Sequence, residues 1–287
     1  MRRVLLVAVS ALLALAVAAP ARAQAKGKGK GPKSNPPSSS PLPNPTFVAP
    51  ATAGAIPFAW IDDASVLPPG TTVLSISALR WQGTDLSEVD MPVVGLATGL
   101  APRLEIGASI PRVAGGGGTS NVVSGLGTTF VSAKVGVLTG GTSGVKLAVA
   151  PTIEILGEGA LQSLPPDESR TQFGLPVSLE IDRSALRVFG SAGFFSGSVW
   201  FAGGGIGAQV APRVALAAAF SRAWTTGAID AIVGDRREVS GSIAFSPRPQ
   251  ISLFGSLGRT IGTADQDGAG TTLTGGVMFL LSPSALK

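Results

Sequence analysis

The stretch "LAPRLEIGASI" (100–110) joins a proline-arginine corner to a strictly alternating segment. Apolar side chains occupy positions 104, 106, 108 and 110, and polar or small residues stand between them. The corner recurs in "VAPRVALAAAF" (210–220) and in a related form in "SPRPQISLFGS" (246–256). Alternation with a period of two is typical of a β-strand with one apolar face. Because proline fixes φ and has no N–H, it ends one strand and starts the bend to the next. These corners therefore predict short turns between antiparallel strands.

The same period of two covers most of the chain beyond residue 70. Most alternating segments contain ten to fourteen residues, which exceeds the usual five to six of a globular strand. This length matches the roughly 9–11 tilted residues that cross a bilayer. The segments are 71–81, 89–99, 103–112, 126–139, 144–155, 172–182, 185–195, 198–210, 213–224, 237–246, 250–260 and 271–281.

The connections between these segments alternate in length. Short corners join strands 2–3, 4–5, 6–7, 8–9 and 10–11, whereas longer polar stretches join strands 1–2, 3–4, 5–6, 9–10 and 11–12. Only the short "FSGS" connection between strands 7 and 8 departs from this rule. Short turns at one rim, long loops at the other and an even strand count are typical of outer-membrane barrels. The sequence therefore predicts an all-β, up-and-down antiparallel transmembrane barrel of about twelve strands, with both termini periplasmic.

Composition excludes several classes of protein. The 287 residues include no cysteine, histidine or tyrosine, so disulfide scaffolds, the common zinc sites and Ser-His or Cys-His nucleophile systems are excluded. We therefore expect no enzymatic activity, no cofactor and no metal. The net charge of +5 comes from the N-terminal region, because residues 34–287 carry 15 basic and 17 acidic side chains. A nucleic-acid partner is therefore not expected.

The chain is predicted to divide into five parts. Residues 1–23 have the charged start, apolar run and small-residue site of a secretory signal peptide. The Gly/Lys/Pro/Ser-rich stretch 24–57 is expected to be a disordered tail. Residues 58–70 form a lead-in to the barrel at 71–282, and 283–287 form a C-terminal tail. The apolar lead-in, taken from 46 to 69 with Phe47, Phe58 and Trp60, is a candidate plug for the lumen.

The side of the strands opposite the apolar face is predicted to line the lumen. On neighbouring strands, Glu105 with Lys134 and Lys146 with Glu154 are expected to form pairs that filter charged solutes. The alternative is that these side chains are solvated or purely structural. Small residues fill much of this face, so the barrel is expected to leave a passage unless a segment plugs it. The lumen candidates are Glu105, Lys134, Lys146, Glu154, Glu180, Arg187 and Gln209.

Three arginines continue the outward, lipid-facing register at the loop end of their strands: Arg80, Arg222 and Arg259. A guanidinium group suits bidentate recognition of phosphate. We therefore predict that these arginines contact phosphate groups of lipopolysaccharide. The alternative is that they only snorkel at the interface.

The stretches "GLAPRLEIGASIPRV", "SGLGTTFVSAKVGVL" and "GVKLAVAPTIEI" resemble the outer-membrane family named for the meta-pathway of phenol degradation. The shared positions are Arg103, Glu105, Gly107, Pro111, Gly125, Gly127, Lys134, Pro151 and Thr152, while Thr128 replaces an expected acidic residue. The resemblance covers about residues 70–282. It implies a β-barrel that transports small, often hydrophobic compounds, and the family label suggests aromatic ones.

The function expected from the sequence is passage or uptake of small solutes, hydrophobic or aromatic ones included, through a barrel in the outer membrane. Its partners would be outer-membrane lipid, lipopolysaccharide, the barrel-assembly machinery and the solute. The alternative is a structural or surface-binding barrel whose lumen is closed. A third reading is a soluble secreted β-protein, since a half-buried soluble sheet also alternates.

Overall fold

The structure is a computed structural model. The predicted signal peptide and tail, the plug candidates Phe47, Phe58 and Trp60, and the C-terminal tail lie outside the residues it describes. Those residues are 62–83, 86–118, 124–140, 144–158, 169–183, 186–196, 198–225, 235–263 and 269–281.

The described chain consists almost entirely of antiparallel β-strands, as the alternating sequence predicts. Among these residues no helix is long and apolar enough to cross a membrane. The strands are β1 (Thr72–Gly83), β2 (Leu86–Ala101), β3 (Leu104–Gly118), β4 (Gly125–Leu126), β5 (Thr129–Gly140), β6 (Val145–Val149), β7 (Thr152–Ile155), β8 (Thr171–Gly174), β9 (Val177–Arg183), β10 (Leu186–Phe195), β11 (Val199–Ala211), β12 (Val214–Thr225), β13 (Asp235–Arg248), β14 (Ile251–Thr263) and β15 (Gly270–Leu281).

These segments form a closed barrel of twelve strands, which confirms the predicted fold. Three of the twelve are interrupted strands, made of β4 with β5, β6 with β7, and β8 with β9. Proline residues Pro151 and Pro176 mark two interruptions, and their carbonyl oxygens still accept hydrogen bonds from Ala133 and Ala150 across the wall. Pairing of β1 with β15 along their whole lengths closes the barrel.

The barrel has two different ends. The turn end holds the start of β1, the end of β15 and the corners around Arg103, Arg213 and Arg248. The loop end holds the opposite ends of the strands, among them Gly118, Ile155, Thr225 and Thr263. The predicted long connection between strands 1 and 2 was wrong, because β1 ends at Gly83 and β2 already begins at Leu86. Of the polar residues assigned to that loop, Gln82 lies on β1 and is exposed, and Glu88 lies on β2 and is buried inside the barrel.

The outside of the wall is apolar, as the alternation predicts. Large side chains from every part of the barrel are exposed there, and Leu257 reaches 56%. Residues one position away along the strands, such as Lys134 and Glu180, are buried inside. The exposed set includes Ile76, Leu96, Ile110, Val131, Phe173, Leu179, Val188, Ile206, Leu216, Phe220, Ile243, Leu253 and Leu273.

Candidate functional site in the lumen

Five of the predicted lumen residues lie together in the half of the barrel next to the turn end. Glu105 on β3 faces Lys134 on β5 across the ladder, and Glu180 on β9 lies between Lys146 on β6 and Phe189 on β10. Because successive side chains of a strand point to opposite faces, and the neighbours of these residues point outward, all of them point into the lumen. Lys134 and Glu180 retain only 4% and 1% of their exposure. Arg187 on β10 is likewise buried within this group.

Residues 62–70 cross the lumen through this group. At one end, the N–H of Gly70 donates to the carbonyl of Gly99 at the turn end of β2. At the other end, the N–H of Asp62 donates to Ser191 Oγ on β10 at 3.2 Å. Because β10 lies five strands from β2 in a barrel of twelve, these two contacts lie on opposite walls. The lead-in therefore spans the width of the barrel, as its role as a plug candidate requires.

Three ion pairs hold this crossing segment. Lys134 Nζ lies 2.8 Å from Asp62 Oδ2 and 3.8 Å from Asp63 Oδ1. Arg187 Nη1 lies 2.6 Å from Asp63 Oδ2. Lys134 also donates to the carbonyl oxygens of Asp63 and Ser65, at 3.2 and 3.3 Å. All four ionic side chains are buried, where an ion pair is screened far less by water and salt than at a surface.

Hydrogen bonds to the wall continue along the same segment. The N–H of Leu67 donates to Glu105 Oε2 at 2.8 Å, and Ser65 Oγ donates to Glu180 Oε2 at 2.9 Å. Lys146 Nζ donates in turn to Ser65 Oγ at 3.0 Å. Three of the four wall residues that were predicted to filter solutes, Glu105, Lys134 and Lys146, therefore bind the chain's own lead-in.

In the structure, the residues of the two predicted lumen pairs have other partners. Glu105 and Lys134 are cross-strand neighbours, but the Glu105 carboxylate accepts its hydrogen bond from the lead-in. The Lys146–Glu154 pair was wrong, because both residues lie on one interrupted strand, eight positions or about 26 Å apart. Lys146 instead pairs with Glu180 at 3.0 Å and with Asp182.

The last two lumen candidates lie away from this group. Glu154 is buried in the half of the lumen next to the loop end, where Phe130 and Gln172 are its cross-strand neighbours. Gln209 is exposed near the turn end, where its side chain donates to the Ala211 carbonyl at 2.7 Å.

An aromatic cluster inside the barrel was missed by the sequence analysis. Phe195 packs against Phe130 and Phe201, with ring centroids 6.3 and 6.0 Å apart, and Ala223 completes the buried cluster. The lumen face, expected to be filled largely by small residues, therefore also carries large aromatic side chains. Inward glycines make the room, because a Cβ on Gly174 would lie 2.4 Å from the Phe195 ring. The same relation holds for Gly193 with Phe201, Gly205 with Phe189, Gly276 with Phe254 and Gly270 with Trp81.

A second polar group near the loop end was also missed. Glu88 and Asp90 on β2 are fully buried beside Trp81 and Leu79 of β1. On the other side of Trp81, Arg236 Cζ lies 5.8 Å from the ring centroid, and its Nη2 donates to Thr260 Oγ1 at 3.1 Å. Glu238 Oε2 lies 4.0 Å from the same guanidinium. The described residues contain no group of three potential ligands arranged to hold a metal ion.

The three predicted lipopolysaccharide contacts, Arg80, Arg222 and Arg259, are all exposed on the outer wall in the half next to the loop end. Arg222 forms a bidentate pair with Asp235, at 2.8 and 2.9 Å, which the sequence analysis did not foresee. Arg80 donates to Gln82 Oε1 at 2.9 Å. Arg259 lies across the ladder from Val239 and Thr271.

Burial raises the pKa of Asp62 from 3.8 to about 6, although Lys134 acts in the opposite direction. Asp63 and Glu105, two further carboxylates that face it, add to the increase. Placing Asp62 in the lumen therefore favours its protonated form relative to water.

No protein-family model matches this sequence, and no curated protein matches it significantly. Solved structures with the same fold do exist. The COG4313 outer membrane channel from Pseudomonas putida F1 is 15% identical, with a TM-score of 0.59 over 76% of this chain and 98% of that one. The NanC porin is 12% identical, with a TM-score of 0.54 over 72% of this chain and 100% of that one. At this level of identity the likeness establishes a shared barrel fold.

Proposed function

We propose that this chain is an outer-membrane channel that lets small solutes pass through its lumen without chemical change. One observation carries the proposal: the closed barrel has an apolar outer wall and a lumen lined with charged side chains. A wall of this kind is stable in lipid because every strand is paired and the apolar face meets hydrocarbon. Similarity in fold to outer-membrane channels and porins supports the same reading.

The proposal includes the placement of the protein. The turn end and both termini would face the periplasm, since short turns at that side are the rule for barrels of this class. Insertion would then depend on the barrel-assembly machinery, and the outer wall would contact outer-membrane lipid.

The described lumen is acidic, which suggests a preference for cations. Its carboxylates outnumber its cationic groups by five, so a cation gains electrostatic energy on entering and an anion loses it. The aromatic cluster around Phe195 adds apolar surface that suits hydrophobic or aromatic parts of a solute. The inward or lumen-crossing acids are Asp62, Asp63, Glu88, Asp90, Glu105, Glu154, Glu180, Asp182 and Glu238, against Lys134, Lys146, Arg187 and Arg236.

Planar-bilayer recording tests this function. We expect stepwise currents from the refolded full chain, and a reversal potential in a KCl gradient that favours K⁺ over Cl⁻. Currents that prefer Cl⁻ would contradict the electrostatic part of the proposal. Absence of currents, from this chain and from a variant with a loosened lead-in, would contradict passage itself.

A second candidate is a structural or surface-binding barrel with a closed lumen. The crossing of the lumen by residues 62–70, held by Lys134 and Arg187, specifically favours it. The two candidates differ in one property, which is whether release of the lead-in opens a path. The Lys134→Met variant discriminates between them, because only a channel gains current when this cation is removed.

A further inference from the structure

Five arginines lie on the outer wall of one half of the barrel, near the loop end. This arginine belt extends from β12 to β3 and is exposed throughout. Among the described strands of this arc, only one carboxylate, Asp235, points outward. The outer wall of β5 to β11 is different, since within its described strands Arg183 at the turn end is the one charged side chain that points outward. The belt consists of Arg222, Arg237, Arg259, Arg80 and Arg112.

Strand tilt determines whether these arginines share one depth in the membrane. With strands tilted by roughly 40° and about 4.8 Å apart, one step along the register changes height by about 3 Å. Paired residues lie progressively closer to the loop end on going from β1 through β2 and β3 to β8. The chain of pairs that starts at Leu74, near the turn end of β1, reaches Phe173 at the loop end of β8. The six steps from β12 to β3 therefore climb about 19 Å.

Relative to these paired positions, successive arginines lie closer to the turn end, and the total difference in height is nearly the same. Over those six steps they retreat toward the turn end by eight residues, each worth about 2.5 Å of height in a tilted strand, or about 20 Å. The two height differences cancel, so the five arginines lie at the same depth in the membrane. The retreat is three residues from Gly262, the partner of Arg237, to Arg259, two from Gln82 to Arg80, and three from Gly115 to Arg112.

Several guanidinium groups of the belt are held in place before any ligand arrives. Asp235 accepts hydrogen bonds from Arg222 at 2.8 and 2.9 Å and from Arg237 at 3.0 Å. Arg222 also lies over the Trp224 ring, 5.1 Å from its centroid. Since Asp235 neutralises one of five charges, the belt keeps an excess of four. Fixing the cations in advance reduces the entropy lost when an anion binds.

The wall directly below the belt is apolar. Leu257 and Leu273 each lie one outward step below the belt and are each 56% exposed, and Ile76 and Ile243 continue this surface toward the turn end. A ligand that satisfies both features carries several anionic groups immediately above hydrocarbon chains. A soluble anion or an acidic protein would cover the cations and leave the apolar wall to other molecules.

We propose that the arginine belt is a binding face for the phosphate groups of lipopolysaccharide, and that it makes this barrel one-sided in its lipid contacts. The inference rests on the proposed outer-membrane placement and extends the expected contact from three arginines to five. Guanidinium binds phosphate bidentately, and paired phosphates match cations that recur along the wall. Snorkelling alone does not explain why the arginines occur on only one half of the barrel, because it would favour arginines equally around the whole circumference.

The test compares two sets of exposed arginines. The belt variant carries Arg80→Gln, Arg112→Gln and Arg259→Gln, and the control carries Arg103→Gln, Arg213→Gln and Arg248→Gln at the turn end. Lipopolysaccharide per barrel is measured by native mass spectrometry after detergent purification, and heat modifiability verifies folding. We expect the belt variant to retain at least roughly tenfold less lipopolysaccharide than the parent chain, and the control to retain as much as the parent chain.

Equal retention by the belt variant, or equal loss in both variants, would overturn the inference. Nanodiscs that contain lipopolysaccharide or phosphatidylglycerol distinguish the source of the phosphate. Equal enrichment of phosphatidylglycerol would overturn the assignment to lipopolysaccharide. The channel proposal is judged separately, since bilayer currents of the belt variant should equal those of the parent whichever lipid result is obtained.

Discussion

Replacing Lys134 by Met should release the lead-in from the lumen. The substitution keeps the length of the side chain but removes the ammonium that binds Asp62 at 2.8 Å and two backbone carbonyls. The Asp62 carboxylate would then stay buried beside Asp63 and Glu105 without its nearest cation. Removing one partner of a buried pair typically costs 3–5 kcal/mol. We take the lower end, about 3 kcal/mol, because Asp62 can gain a proton, and this shifts the docked equilibrium roughly 150-fold.

Cysteine labelling measures this shift directly, since the chain contains no other cysteine. Ala64 in the lead-in is 2% exposed, so Ala64→Cys should react slowly with a membrane-impermeant maleimide. Adding Lys134→Met should accelerate the reaction by about two orders of magnitude, in line with the same docking shift. Arg236→Met is the matched control, because it removes another buried lumen cation whose described contacts include Trp81, Thr260 and Glu238 but no residue of the lead-in. Equal labelling in all three proteins would refute the role given to the ion pairs.

Three further predictions follow from single groups. Because docking raises the pKa of Asp62 to about 6, docking should strengthen as pH falls through 6, and currents should decrease roughly tenfold between pH 7.5 and pH 5. Gly174→Val should lower the free energy of unfolding in urea by about 1–3 kcal/mol, since its side chain would displace the Phe195 ring, whereas Gly255→Val on the outer wall should change it little. Asp182→Asn, which removes a half-exposed inward carboxylate, should reduce the preference for K⁺ over Cl⁻, measured as a smaller reversal potential, and an unchanged potential would remove Asp182 from the conduction path.

Most of the barrel follows from the sequence because alternation has a strong physical cause. Each strand places one face in lipid and the other in the lumen, so a period of two and a length near twelve residues suffice to find it. Prediction failed where polar side chains were taken as a sign of a loop. Glu88 was placed outside the strands for this reason, although a polar side chain inside a barrel is equally compatible with a strand.

The contacts of the lead-in could not be predicted. Asp62 and Ser191 are separated by 129 positions, and no local pattern connects them. The lead-in drew attention through its apolar residues, whereas the structure holds it by charge. Most inward phenylalanines, such as Phe195, Phe201 and Phe189, were missed because each lies over a glycine of a neighbouring strand, and such pairs become visible only when the register is known.

The central claim is that the apolar face of the wall meets lipid while its other face meets the lumen. Spin labels at neighbouring positions of one strand test it most directly. The chain reconstituted in vesicles would carry Leu257→Cys in one sample and Ser256→Cys in the other, with oxygen and a water-soluble nickel complex as relaxing agents. The account predicts that the Leu257 label responds strongly to oxygen and hardly to nickel, while the Ser256 label does not share this preference for oxygen. Shielding of the Leu257 label from oxygen, or equal responses at both positions, would contradict it.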